Sequence, residues 1–354
     1  MSRFLSSRFE MLEAYTPGEQ PQDKTYIKLN TNESPFPPSP EVIERVNVEE
    51  VRQLNLYPDP EGKALKEKLA ERYGVKAENV FLSNGSDEIL NFSFMAFCDK
   101  ARGVIFPEIT YGFYSIYANL YEIPYRRIPL RDDFSIRHTD YCDNNSMVVI
   151  ANPNAPTTIA LKLDEIEDIL KANPDQLVLI DEAYVDFGCE SAVALIERYD
   201  NLLVSMTFSK SRSMAGARLG FAFGNVAIIR DLEKIKFSTN PYNINRLTMA
   251  AGEAAIDSDA YYFENVKKII GTREWVAAEL EKLRFTVLPS KTNFVFAAHE
   301  SMEGEVLYEK LKRDGVLVRH FNKSKIERFL RITIGTDEEM HEFLRRLEKI
   351  LLEG

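Results

Sequence analysis

Five short, largely apolar runs through the middle of the chain constrain the fold most: Val80-Phe-Leu, Gly103-Val-Ile-Phe, Met147-Val-Val-Ile-Ala, Leu177-Val-Leu-Ile and Leu202-Leu-Val-Ser. A strand with one wet face alternates apolar and polar residues, so a run that stays apolar at successive positions must be buried on both faces. Between the runs, residues 61–73 place Leu65, Leu69 and Tyr73 at helical spacing, and residues 86–98, 111–121 and 163–172 read as further helices. Doubly buried strands alternating with helices predict a three-layer α/β/α sandwich around a mostly parallel sheet. Leu219-Gly-Phe-Ala-Phe reads as one more strand.

A helical pattern then runs from 243 to about 283, broken near Asp257-Ser-Asp259, and the character changes beyond it. Strands are expected at 285–288, 293–297, 316–319 and 329–334, with helices at 303–313 and 337–352. The pattern predicts a large domain over 41–255 and a smaller α+β domain over 256–354. Residues 1–40 are rich in proline and polar groups, ending in Asn30-Thr-Asn-Glu-Ser-Pro-Phe-Pro-Pro-Ser-Pro40. Such a segment is extended and is expected to lie as an arm across another surface.

Composition excludes several function classes. A net charge of −11 argues against a nucleic-acid partner held on a broad basic face. No apolar run is long enough to span a bilayer, so no membrane partner is expected. The opening Met1-Ser-Arg-Phe-Leu-Ser-Ser-Arg-Phe lacks an apolar core followed by a small-residue cleavage site, and no export signal is read there. Cys98, Cys142 and Cys189 are scattered and odd in number, as expected of thiols in a reducing cytoplasm. With four scattered histidines and no ligand spacing, a protein-built zinc site is not expected.

In open α/β sheets ligands bind outside the carboxyl ends of the strands. The first run ends in Asn84-Gly-Ser-Asp-Glu88, where a glycine permits close approach and the N–H groups of Ser86 and Asp87 open a helix toward an anion. An ordinary helix cap reads the same way. Asn152-Pro-Asn-Ala-Pro-Thr157 holds an amide on a proline-stiffened backbone. Asp181-Glu-Ala-Tyr184 puts a carboxylate at the end of a buried strand, which is costly unless it meets a cation such as a protonated pyridine nitrogen. A structural ion pair would satisfy it equally. Tyr184 could donate to a phenolate oxygen, and Tyr111 could stack on a flat ring, although aromatics near helix starts are usually just packing. Past the last run, Lys210 lies between hydroxyl residues in Ser205-Met-Thr-Phe-Ser-Lys-Ser-Arg-Ser-Met-Ala-Gly-Ala-Arg-Leu-Gly-Phe221. A desolvated lysine near another cation becomes a nucleophilic amine, while Thr207, Ser209 and Arg218 suit a phosphate. A phosphate nest, an amide, a carboxylate, a tyrosine, a lysine and an arginine are the parts of a pyridoxal 5'-phosphate site.

The order of these motifs, together with Tyr57-Pro-Asp-Pro60, Thr110-Tyr-Gly-Phe-Tyr114 and Leu330-Arg-Ile-Thr-Ile-Gly335, resembles the pyridoxal-phosphate aminotransferases of fold type I (class I/II) over nearly the whole chain. Within them it is most similar to the histidinol-phosphate aminotransferases. The resemblance implies that Lys210 holds the cofactor as a Schiff base and moves the substrate proton. It implies that Asp181 pairs with the pyridine nitrogen, Tyr184 with the ring oxygen and Tyr111 with the ring face. Ser86, Asp87, Thr207, Ser209 and Arg218 would surround the phosphate, and Tyr57 would reach the cofactor of the other subunit of a homodimer. Arg319 and Arg331 would bind the acidic groups of a small-molecule amino donor and keto acceptor, with Tyr15 and Asn32 at the entrance. One position departs from the family: the asparagine that usually meets the ring oxygen is Ala155 here, with Thr158 where glycine is common, and Asn154 is expected to serve instead. The cofactor residues leave the substrate open. An aminotransferase for other amino acids and a phosphothreonine decarboxylase of the same fold would share them. So would a pyridoxal-phosphate-binding regulator, although such proteins typically carry a basic DNA-binding domain before this fold.

Overall fold

The computed structural model describes residues 5, 6, 9 and 12–353. Most of the stretch read for an export signal, and the first part of the predicted arm, lie outside the described residues. From residue 12 the arm runs without regular structure to β1 (Ile27–Lys28), which pairs in parallel with β11 (Val316–Leu317) across the molecule. Three helices follow: α1 (Pro40–Arg45), α2 (Val48–Arg52) and α3 (Lys63–Tyr73). Ser39 caps α1 by accepting from the Val42 N–H, with proline at the first helical position, where its missing N–H costs nothing.

Seven strands form the central sheet: β2 (Val80–Ser83), β3 (Val104–Pro107), β4 (Tyr125–Ile128), β5 (Met147–Ala151), β6 (Val178–Asp181), β7 (Leu202–Thr207) and β8 (Gly220–Gly224). Their order is β2-β8-β7-β6-β5-β3-β4, and β8 alone runs against the rest. The helices around it are α4 (Ser86–Phe97), α5 (Phe113–Leu120), α6 (Leu163–Ala172), α7 (Val226–Thr239) and α8 (Arg246–Asp257).

Successive side chains of each strand enter opposite cores, as a period of two requires. Val178 and Ile180 pack with Leu69 of α3, Ile166 of α6 and Ala255 of α8 in one cluster. Leu179 joins Leu90 of α4, Ala118 of α5 and Leu232 of α7 in another. This is why the runs read as apolar throughout. The short elements β1, α1 and α2, the edge strand β4 and the helix α7 have no counterpart in the expectations above.

Beyond α8, the long helix α9 (Asp259–Lys282) leads to a four-stranded antiparallel sheet of order β12-β13-β10-β9, formed by β9 (Phe285–Val287), β10 (Phe294–His299), β12 (Arg319–His320) and β13 (Phe329–Thr333). The helices α10 (Gly304–Arg313) and α11 (Asp337–Leu352) cover it. Val266 and Leu280 of α9, Val295 and Ile332 of the sheet, Leu311 of α10 and Phe343 of α11 share a separate core with Leu29 of the arm. The strand expected over 316–319 is split: Val316 and Leu317 pair with the arm, whereas Arg319 and His320 pair with β13. Among the described residues no helix is long and apolar enough to cross a membrane, and no group of three or more His, Cys, Asp or Glu side chains converges as a metal site.

Candidate active site at the carboxyl edge of the sheet

β2, β5, β6 and β7 all end at the same edge of the sheet, where a cavity of about 720 Å³ opens between the sheet, the arm and the β12–β13 region. Of the residues singled out from the sequence, Tyr15, Asn32, Ser86, Asp87, Tyr111, Asp181, Tyr184, Thr207, Ser209, Lys210, Arg218, Arg319 and Arg331 all line it. They come from segments nearly the whole chain apart, and the strand ends bring them together.

At one end lies an anion cradle. The N-cap of α4 is Gly85, which supplies no side-chain cap, so the first N–H groups of the helix are left for a ligand. Gly85 adopts φ +75°, and a Cβ there would come within 2.5 Å of Arg218 Nη2. A Cβ on Gly220 would sit 2.5 Å from the Gly85 carbonyl carbon and 2.6 Å from the Ser86 nitrogen. The positive φ requires glycine at 85, and the close backbone approach requires it at 220. Arg218 Nη2 reaches Asp87 Oδ2 at 3.1 Å, and Tyr111 donates to Asp87 Oδ1 at 2.8 Å. Thr207 Oγ1 donates to Ser209 Oγ at 3.0 Å and accepts from the Ser209 N–H, so both hydroxyls are gathered at the end of β7.

At the centre is Asp181, 5% exposed, whose Oδ2 accepts from Tyr114 at 2.9 Å. Its Oδ1 is buried with no partner. Burial dominates its ionisation and, with the nearby Asp87 charge, raises its pKa from 3.8 to about 6, against the opposing pull of Tyr114 and Lys210. A carboxyl with one unmet oxygen in a cavity is built for a donor, and the donor must carry positive charge to hold the ionised form. A protonated pyridine nitrogen meets that need, so the residues present fit pyridoxal 5'-phosphate.

Facing it, Lys210 Nζ lies 3.4 Å from the Thr31 carbonyl and 5.7 Å from the centre of the Tyr184 ring. The Tyr184 hydroxyl accepts from Asn32 Nδ2 at 2.9 Å, which leaves its own proton free to donate. Asn32 is held in turn by Thr333, whose hydroxyl donates to Asn32 Oδ1 at 3.0 Å. Asn32 therefore orients Tyr184 as well as lining the cavity.

Asn154 requires a correction. Both hydrogens of its amide are used, on the Ile109 carbonyl at 2.9 Å and on Thr157 Oγ1 at 2.8 Å, and its Oδ1 accepts from Thr110. Its side chain braces the segment before Tyr111 and has no donor left for a ring oxygen. The cavity wall is Ala155 at that place, which leaves Tyr184 as the hydroxyl donor there. Thr158 takes the left-handed conformation, φ +68°, that glycine adopts without cost, and its hydroxyl donates to the Pro289 carbonyl at 2.9 Å. Tyr57 lies outside the cavity, 77% exposed and stacked on Tyr242 at 4.3 Å. Tyr114, which donates to Asp181 Oδ2, has no role in the reading of the sequence. Its place in the same Thr110-Tyr-Gly-Phe-Tyr114 motif as Tyr111 was the available signal.

Comparison with known proteins gives the family of the chain. The family model "Aminotransferase class I and II" matches residues 24–347. The histidinol-phosphate aminotransferase of Brachyspira hyodysenteriae is 51% identical over 352 residues, 99% of each chain. That of Marinomonas sp. is 52% identical over 343 residues, covering 96% of this chain and 97% of the relative. Among solved structures, the histidinol-phosphate aminotransferase of Clostridium acetobutylicum superposes with a TM-score of 0.85 at 25% identity, covering 92% of this chain and 99% of that one. The Sinorhizobium meliloti structure of that name, in complex with pyridoxal-5'-phosphate, gives 0.88 at 24% identity over 99% and 100% of the two chains, a likeness of fold. With a family match over most of its length and relatives half identical from end to end, the chain belongs to the class I and II aminotransferases.

Proposed function

We propose that this chain is a pyridoxal-phosphate-dependent aminotransferase that moves an amino group between histidinol phosphate and 2-oxoglutarate in histidine biosynthesis, with glutamate as the donor in the reverse sense. The unpartnered, buried oxygen of Asp181 in a cavity shared with Lys210 and the Arg218 cradle carries the cofactor assignment. The substrate follows from the name borne by relatives about half identical over the full chain.

When bound, the cofactor supplies an electron sink that lets a substrate α-C–H bond break. In this reading Lys210 Nζ would anchor the cofactor, and its amine would take the proton from the substrate α-carbon. Asp181 Oδ1 would keep the ring nitrogen protonated, the Tyr184 hydroxyl would donate to the ring oxygen, and Tyr111 would cover the ring face. The α4 N-terminus, Thr207, Ser209 and Arg218 hold the phosphate. Arg319 and Arg331 take carboxylate or phosphate oxygens, since a guanidinium fork fits either, and Tyr15 closes the entrance with the arm. The boundaries 41–255 and 256–354 are proposed for the two domains, with 1–40 as the arm.

A second copy of the chain completes the site. Ile43, Val48, Val51, Leu54, Leu56 and Tyr57 form an exposed apolar stretch of the kind that marks an interface. In the homodimer Tyr57 reaches the cofactor phosphate of the partner. The unpaired cysteines are consistent with a cytoplasmic enzyme.

Borohydride reduction of the cofactor-loaded protein followed by peptide mapping tests the anchor. A single pyridoxyl group on Lys210 is expected, and a label on any other lysine would overturn the assignment.

A further inference from the structure

The outer wall of the cavity carries more positive charge than Arg319 and Arg331 supply. Arg127 on β4 and Lys323, in the turn between β12 and β13, line it with them. Among the described residues none of these four cations is paired with a carboxylate. Arg319 donates to the carbonyls of Thr16 and Pro17, Arg331 to that of Asn30, and the Arg127 guanidinium rests 5.6 Å from the centre of the Tyr125 ring. The acids of the same cavity are engaged elsewhere: Glu33 with Lys28 at 2.7 Å, Asp87 with Arg218 at 3.1 Å and Asp181 with Tyr114. Glu13, on the arm, is the remaining acid of the lining.

The contrast with the surroundings is informative. Lys325, two residues beyond Lys323, is paired with Glu108 at 2.6 Å. Partial burial, and then the charges of Arg127 and Arg319, lower the pKa of Lys323, so these cations repel one another across the cavity. Unpaired like charges held at one wall cost stability unless a ligand brings the opposite charge. One carboxylate would be matched by Arg331 or Arg319 alone. Four cations match a ligand that carries more, and a phosphate monoester brings nearly two negative charges with three acceptor oxygens.

We infer that Arg127 and Lys323 form an outer anion subsite for the phosphate end of the amino substrate, and that this pair sets the preference for phosphorylated over unphosphorylated amines. The inference rests on the aminotransferase reading above and adds which residues select its substrate. Arg127 offers a forked donor and Lys323 a mobile point charge.

The test compares kcat/KM for histidinol phosphate and for unphosphorylated histidinol in the wild type, R127M, K323M and the double variant. Neither residue belongs to a buried core, so the variants should fold, and thermal melting checks that they do. In the double variant the preference for the phosphorylated amine should fall on the order of tenfold, through KM rather than kcat. The inhibition constant of inorganic phosphate should rise in parallel, and R127K should retain most of the preference. A double variant with unchanged preference and unchanged phosphate inhibition overturns the inference. Should the wild type turn over neither amine, the proposed substrate fails instead, and phosphate inhibition with whichever donor is active still decides the subsite.

Discussion

Replacing Asp181 by asparagine should strengthen the empty protein and disable the loaded one. In the folded chain, burial keeps the Asp181 proton on until about pH 6, whereas the unfolded chain releases it near 3.8. Between those values the folded state binds more protons, so the contribution to stability is present at low pH and is lost as pH rises through 6. The gap of about two pH units corresponds to about 3 kcal/mol, of which about 2 kcal/mol falls between pH 4.5 and 8. D181N does not titrate and escapes that loss. In urea unfolding of cofactor-free protein, the stability of D181N relative to wild type should therefore improve by about 2 kcal/mol from pH 4.5 to pH 8. With cofactor bound the balance reverses, because a neutral amide cannot hold a ring nitrogen protonated. Turnover should then fall by on the order of a hundredfold to a thousandfold, the scale set by loss of one preorganised charge contact. A stability difference independent of pH, or one that worsens toward pH 8, would refute the reasoning. So would a D181N enzyme with near-normal turnover.

Three further outcomes are expected. Glu182 is buried against the Ser191 hydroxyl and the Ala192 N–H, and burial pushes its pKa from 4.5 to about 8, so wild-type stability should fall from pH 4.5 to 8 by up to about 1.4 kcal/mol per pH unit from this group; E182Q should flatten that slope in pH-dependent melting. G220A puts a methyl 2.5 Å from the Gly85 backbone; it should cost about 1–3 kcal/mol of stability by overpacking, and equilibrium dialysis should show weakened cofactor binding. Tyr57→Ala and Lys210→Ala should each be inactive alone, yet mixing and refolding them together should restore activity if Tyr57 serves the partner's site; no restoration would place Tyr57 in its own subunit's chemistry.

The central strands were legible because burial on both faces leaves a continuous apolar run, as in Leu177–Ile180, where alternate residues enter different cores. β4 has no such signature. It is an edge strand with one neighbour, and its Tyr-Arg-Arg-Ile places two arginines in solvent. Helix α7 was missed because only Asn225 separates it from β8, so the two apolar patterns run together, and its buried face includes Lys236. The cavity residues at strand ends were readable from chain position alone, since topology delivers them to one edge. What position cannot show is where an amide points. Asn154 and Ala155 are neighbours in the chain, yet one faces the framework and the other the cavity. Arg127 escaped notice for the same reason as its strand.

The most direct test of the account is a pair of single-turnover reactions of the cofactor-loaded protein, one with histidinol phosphate and one with phosphothreonine, each without keto acceptor, following cofactor absorbance, the keto product and released carbon dioxide. The account predicts one amino group transferred per site, no carbon dioxide, and no reaction in Lys210→Ala. Release of carbon dioxide from phosphothreonine with no transfer from histidinol phosphate, or full transfer by the Lys210→Ala protein, would contradict it.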